Sequence, residues 1–305
     1  MMLVHVLGSA AGGGFPQWNC NCRNCHGVRR GSIKATPRTQ SSIAVSSDGS
    51  NWALLNASPD ILTQIKAFPS IQPARSLRDS GIRAVVLMDA QIDHTTGLLM
   101  LREGPKLELY CTACVHDDLR SVNPLLQVLD HYCGTTWHEI STEPPKEFTV
   151  EGVEHLRFAP LPLKSNAPPY STRRDRPLPG DNIGLQIRDA RSGKSLFYAP
   201  GLGIAEAHVL NAMREADCVL VDGTFWTEDE MITQGLGKKP AASMGHLPQS
   251  GEGGMMEILA EMPKPRKILI HINNSNPILD EDSAARKILA QQNIEVAQDG
   301  MEITL

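Results

Sequence analysis

The sequence predicts an α/β fold of four layers, with two β-sheets packed face to face and helices outside them, an αββα sandwich. Apolar strand-like runs crowd into the early part of the chain, and later ones alternate with helical periods. Hydrophobic residues make up 41% of 305, enough to bury a sizeable core, and the charged fraction of 21% is that of an ordinary globular protein. A doubly wound parallel sheet is the competing arrangement. No internal repeat or low-complexity linker divides the chain, so one domain over 1–305 is expected.

In chain order, strands are expected over 3–7, 42–45, 52–56, 84–88 and 107–111, then over 183–187, 195–199, 218–222, 267–272 and 302–305. Most are short apolar runs bounded by polar or turn-forming residues. Helices are expected over 60–68, 124–131, 204–216, 254–262 and 281–292. Ser58 and Pro59 supply an N-cap and a first-turn proline for the first of these. The stretch 160–179 repeats Pro and carries the basic residues Arg173, Arg174 and Arg176. So long a loop in a compact domain is either a mobile surface excursion or part of a binding site.

A net charge of −5 and an aromatic content of 5% weigh against nucleic acid as a partner. No run is long and apolar enough to cross a bilayer, so no membrane insertion is expected. Residues 1–7 lead straight into Gly8 and Ser9 and read as a first strand, not as a signal peptide. Seven cysteines, an odd number, point to reduced thiols and a cytoplasmic location.

The chemistry gathers at strand ends, where ligand sites of α/β sheets lie. Asp93 and His94 follow the strand 84–88, Asp222 closes 218–222, and His271 sits at the end of the late apolar run. Two imidazoles with carboxylates suit a non-haem ferrous centre with open positions, and zinc accepts the same donors. His246, in the Gly- and Pro-bounded loop 244–248, offers a general base or a hydrogen-bond partner for substrate. Cys20, Cys22 and Cys25 form a CxCxxC, and three thiolates so close suit a structural zinc in a loop at about 15–30. His26 is sterically awkward as the fourth ligand. The glycines of 8–14 fit tight turns beside the metal cleft better than a dinucleotide fingerprint, because no helix follows them directly. Arg173, Arg174 and Arg176 could clamp the carboxylates of a small polyanionic substrate, or be a solvated loop face.

The run Asp89-Ala90-Gln91-Ile92-Asp93-His94 resembles the HxHxDH signature of the metallo-β-lactamase superfamily, with both leading His positions changed. The likeness is closest to the ribonuclease Z and cyclic-phosphodiesterase branch. It extends to Asp222-Gly223-Thr224-Phe225, to Gly245-His246-Leu247 and to the strand ending in His271. It implies that Asp93, His94 and His271 hold one metal, with Asp222 a further ligand or a group just outside. The His residues of the other metal are replaced by Asp89 and Gln91, and neither 162–165 nor 198–201 carries the superfamily's later His and bridging Asp. A hydroxide held between two metals is thereby disfavoured. In cyclic phosphodiesterases a His three residues beyond the last catalytic His completes a zinc site. That position is Asn274 here, which the resemblance makes the fourth ligand beside the cysteines.

These motifs, with the CxCxxC and the segments 167–171 and 271–274, are similar from end to end to the family of coenzyme PQQ synthesis B proteins. That family implies a part in making pyrroloquinoline quinone (PQQ) from a Glu–Tyr cross-linked amino acid cut from a precursor peptide. The single metal site favours an Fe2+- and dioxygen-dependent hydroxylase of the tyrosine ring over a hydrolase. The alternative is a carrier that moves PQQ or its precursor toward the periplasm without turnover. The expected metals are structural Zn2+ and active-site Fe2+. The expected partners are the small-molecule precursor or PQQ and other proteins of the pathway.

Overall fold

The computed structural model describes residues 1–305. Its strands, in chain order, are β1 (Leu3–Gly8), β2 (Ser42–Ser46), β3 (Trp52–Leu55), β4 (Ile82–Val86), β5 (Leu107–Cys111), β6 (Thr135–Glu139), β7 (Leu156–Pro162), β8 (Ile183–Asp189), β9 (Ser195–Ala199), β10 (Cys218–Asp222), β11 (Arg266–Ile270), β12 (Ile294–Val296) and β13 (Glu302–Thr304). One sheet has the order β13-β1-β2-β3-β4-β5-β6 and the other β12-β11-β10-β9-β8-β7. The helices are α1 (Arg23–Arg30), α2 (Ile61–Ala67), α3 (Ile92–Thr95), α4 (Gly97–Met100), α5 (Ala113–Asp117), α6 (Leu125–Leu129), α7 (Ala207–Glu215), α8 (Glu230–Thr233), α9 (Met255–Ala260) and α10 (Ala284–Gln291).

Period-two alternation builds the layers. Val4, Val6, Ala53 and Leu55 of one sheet meet Phe158, Leu185, Tyr198 and Leu220 of the other in the inter-sheet core. Their neighbours point outward. Leu54, Val85 and Leu109 pack with Ile61, Leu126 and Leu129 on one outer face. Phe197, Val219 and Leu269 pack with Val209, Leu259 and Leu289 on the other. The result is the expected αββα sandwich.

The differences from expectation fall mostly at sheet edges. Strands β6, β7 and β12 were not anticipated, and each is an edge strand. An edge strand need not be apolar on both faces, so β6 (TTWHE) carries little hydrophobic pattern. Pro160 and Pro162 lie within β7 and pair with Leu185 and Ile183, so the expected loop over 160–179 begins as a strand. Proline is tolerated there because an edge strand has one side without a partner for its N–H groups. The cysteine loop also holds more order than expected. Helix α1 starts directly after Cys22, its N-cap, and ends at Gly31 with a left-handed φ of 67°. For α2 the N-cap position falls on Asp60 instead of Ser58, whose hydroxyl accepts from Asp60 N at 3.3 Å.

The cleft is held at the β4 end by backbone contacts. Ala57 N donates to His94 O at 2.7 Å and Gly97 N to Ala57 O at 2.9 Å. A Cβ on Gly97 would lie 2.2 Å from Ser58 O and 2.7 Å from Ala57 O, both main-chain atoms. Gly97→Ala should therefore force α3 and α4 off the sheet, at a cost of about 1–3 kcal/mol. The fall in the urea unfolding midpoint checks this.

Candidate metal centre

Three chain turns converge on one cleft. The segment after β4 bends at Asp89, and α3 then presents Asp93 and His94. β10 ends at Asp222, and the turn after it carries Thr224. His271 follows β11 directly, in the left-handed region at φ 59°. A side chain with a Cβ holds that conformation at a cost of about 1–3 kcal/mol, only where surrounding contacts fix it. Here Ile272 N donates to Ser9 O and Ala11 N to Ile272 O, both at 2.9 Å.

Asp93, His94 and His271 place their donor atoms within 4.8 Å of one another, and so do Asp222, His246 and His271. Asp93 Oδ2 lies 3.3 Å from His271 Nε2 and 3.9 Å from His94 Nε2. Nδ1 of His94 donates to the Asp89 carboxylate at 2.8 Å. Its Nε2 is buried and has no hydrogen-bond partner. A buried imidazole nitrogen left bare, with the other nitrogen held by a carboxylate, is what a metal-binding His presents. The donor set thus fits a cation with two imidazoles and one carboxylate.

Charge sets the resting state of this group. Burial opposes protonation of His94, but the carboxylates of Asp89 and Asp93 outweigh it and push its pKa up to about 9. Burial likewise opposes ionisation of Asp93, and the imidazoles of His94 and His271 reverse that, holding the carboxyl well below the usual range.

Asp222 sits on the far side of His271 from Asp93. Its Oδ2 accepts from His246 Nδ1 at 2.7 Å and from Leu202 N at 2.9 Å. Its Oδ1 accepts from Thr224 Oγ1 at 2.6 Å and Thr224 N at 2.9 Å. Both oxygens are hydrogen-bonded by the chain itself, and Asp222 still groups with His246 and His271 as a second possible donor set. His246 keeps 17% of its side chain exposed, the most open imidazole of the three, whereas His94 and His271 keep 2% and 6%.

The cysteine cluster lies next door. The sulphurs of Cys20, Cys22 and Cys25 fall within 4.8 Å of one another. The side-chain amide of Asn274 faces all three, with Nδ2 at 3.1, 3.6 and 3.3 Å. His26 points away, its Nδ1 3.2 Å from Asn21 Oδ1. Three sulphurs so close suit a zinc ion, and the Asn274 amide could serve as a fourth donor only with its oxygen turned to where Nδ2 now stands.

Of the three arginines expected to clamp a substrate or form a solvated loop face, two are held by the chain itself. Arg173 is tied to Asp181 at 2.9 Å and Asp118 at 3.1 Å, and donates to Cys114 O at 2.8 Å. Arg174 donates to the carbonyls of Ala167 and Ser243. These guanidinium groups are spent on fastening the loop after β7, and only Arg176 stays exposed without an ion pair. The loop is also pinned by Thr112 Oγ1 to Gly180 O at 2.6 Å and by the Tyr170 hydroxyl to Ala90 O, so it forms a fixed wall beside Asp89.

Three contributors were not assigned a role from sequence. Asp89 was read only as a lost His, although its place five residues before His94 at a strand end is a usable signal. Thr224 was quoted within its segment without a function. Gly12 leaves room for Asp93, since a Cβ there would lie 3.2 Å from Asp93 Oδ2.

Residues 51–272 match the family model of the beta-lactamase superfamily domain. Over the whole length of both chains, the protein is 60% identical to a coenzyme PQQ synthesis protein B of Nitrosococcus oceani and 62% identical to that of Azoarcus sp.. Among solved structures it is similar to the Zn(2+)-bound PqqB from Methylobacterium extorquens, at 37% identity and a TM-score of 0.90, covering 99% of this chain and 100% of that one.

The raised pKa of His94 carries a pH prediction. Below about 9 the ring holds a proton that a cation must displace. Affinity for Fe(II) in the cleft should therefore climb by up to about tenfold per pH unit from neutrality and level off above that pKa. Chelator competition across this range measures it, and a flat profile would contradict the charge assigned to His94.

Proposed function

The chain belongs to the coenzyme PQQ synthesis protein B family of the metallo-β-lactamase superfamily, and we propose that it acts in PQQ biosynthesis as an iron- and dioxygen-dependent hydroxylase of the tyrosine ring of the Glu–Tyr precursor. The observation that carries this reading is the donor set of Asp93, His94 and His271, with Nε2 of His94 bare. Two imidazoles and one carboxylate with open positions are the ligands of non-haem ferrous oxygenases. Iron bound there would supply the activation of dioxygen for insertion of one oxygen atom into the ring, the second oxygen leaving as water with two electrons from an external reductant.

The other residues have separable tasks. Once a cation displaces the second ring proton, Asp89 keeps the remaining proton of His94 on Nδ1 and so leaves Nε2 to the metal. His246, the most open imidazole, takes the phenolic proton of the substrate. Burial lowers its basicity, but the partner Asp222 more than restores it. Asp222 acts through His246 and contacts no substrate itself. Asp89, standing where the resembled signature has a His, supports a one-metal oxygenase over a two-metal hydrolase.

At the cysteine cluster we assign Zn2+ to Cys20, Cys22 and Cys25, with Asn274 as fourth donor once its amide is turned to present Oδ1 in place of Nδ2. A closed tetrahedral site leaves no position for substrate, so its task is to staple α1 to the segment after β11.

Chain loaded with Fe(II) without oxygen, then given dioxygen, reductant and a tyrosine-containing precursor, should yield product heavier by one oxygen atom in the mass spectrum. Tight binding of PQQ with no such product would favour the carrier. His271→Ala should remove iron from the cleft and leave the zinc content unchanged, as read by metal analysis. Iron retained by that variant would sink the ligand assignment.

A further inference from the structure

One buried hydroxyl links the two halves of the cleft. Thr224 is 2% exposed, and its Oγ1 lies 2.6 Å from Asp222 Oδ1, 2.8 Å from His271 Nδ1, 2.9 Å from His271 O and 3.1 Å from His246 Nδ1. A threonine hydroxyl has one proton to give and two lone pairs to receive with. Neither a carboxylate oxygen nor a carbonyl oxygen can donate, so any contact with them consumes the threonine proton. The shortest contact is to the ionised Asp222, where a charge-assisted bond is strongest. The Thr224 oxygen is then left to accept. His246 sends its Nδ1 proton to Asp222 Oδ2 at 2.7 Å, its shorter contact. The remaining nitrogen facing the hydroxyl is Nδ1 of His271, which must carry hydrogen for this contact to be a bond.

We propose that Thr224 is a positioning residue of the metal centre: its hydroxyl donates to Asp222, accepts from Nδ1–H of His271, and so fixes that ring with Nε2 toward Asp93, 3.3 Å away, where a metal would take it. The proposal rests on the metal-centre reading above. It gives the two ligand imidazoles different backing. His94 leans directly on the carboxylate of Asp89, whereas His271 reaches a carboxylate only through one hydroxyl. The local sequence makes the relay possible. At Gly223 a Cβ would lie 2.8 Å from Ile270 O, so glycine lets the ends of β10 and β11 close until Thr224 touches His271. A merely structural role for Thr224 is conceivable, because its own N–H closes a turn on Asp222 Oδ1 at 2.9 Å. That role uses no hydroxyl and predicts no effect on the imidazole.

Two measurements on the full-length chain decide it. The first is the nitrogen-15 spectrum of the His271 ring in metal-free wild type, which should report hydrogen on Nδ1. The second is anaerobic Fe(II) affinity by chelator competition for wild type, Thr224→Val and Thr224→Ser. Losing a hydrogen-bond partner behind a ligand His costs roughly 10- to 100-fold in metal affinity, so Thr224→Val should bind that much more weakly. Thr224→Ser keeps the hydroxyl and should bind close to wild type. A bare Nδ1 in wild type, Thr224→Val binding as tightly as wild type, or Thr224→Ser binding no better than Thr224→Val would each overturn the proposal. Should Thr224→Val fail to fold, the serine variant and the wild-type spectrum still decide. Should wild type take up no Fe(II), the metal-centre reading falls by itself, and the tautomer of His271 still judges Thr224.

Discussion

Which nitrogen of each imidazole carries the proton governs everything else in this cleft. A neutral imidazole has one donor and one acceptor, so a residue that claims the donor side decides where the acceptor points. Asp89 makes that choice for His94 at 2.8 Å, and Asp222 makes it for His246 at 2.7 Å. The three rings stand with centroids 5.2 and 5.4 Å apart along the series His94, His271, His246. Rings so close would repel one another if all were charged. The interleaved carboxylates of Asp89, Asp93 and Asp222 are what allow three imidazoles to share one buried place.

Asp89 also shows what one exchanged residue at a strand end can do for a neighbouring imidazole. In the resembled HxHxDH signature this position bears a ligand His. Here it bears a carboxylate that points at the neighbouring imidazole from inside the same turn, and Gln91 N closes that turn on Asp89 Oδ1 at 2.8 Å. The replacement removes one donor from the hydrolytic arrangement and adds support to a donor that remains. The strand end and the turn into α3 supply the frame for both.

The interior of the fold was legible and its margins were not. β5, β9 and β10 appear at the expected bounds because they are flanked on both sides, and their sequences are apolar almost throughout. β6, β7 and β12 escaped because an edge strand obeys weaker rules and accepts Thr, His and Pro. β4 runs two residues earlier than expected, since Leu87 and Met88 are apolar but already belong to the turn that aims Asp89. For the cleft, residue types at strand ends marked Asp93, His94, Asp222 and His271. What they could not convey was grouping: Asp222 is hydrogen-bonded to His246, and Arg173 is paired with Asp118 and Asp181. Partnerships of this kind depend on which strand ends become neighbours, and sheet order is not written in any local window.

The stretch from His271 to Asn274, directly after β11, is only four residues long, yet it touches both candidate metal-ligand clusters, with His271 in the cleft and Asn274 on the three sulphurs. Between them Ile272 is zipped to Ser9 and Ala11. The stretch therefore behaves as a ruler of fixed length. A single inserted or deleted residue would rotate one end away from its cluster while the other stayed in register. Its tolerance to changes of length should be far lower than its tolerance to changes of side chain at Ile272.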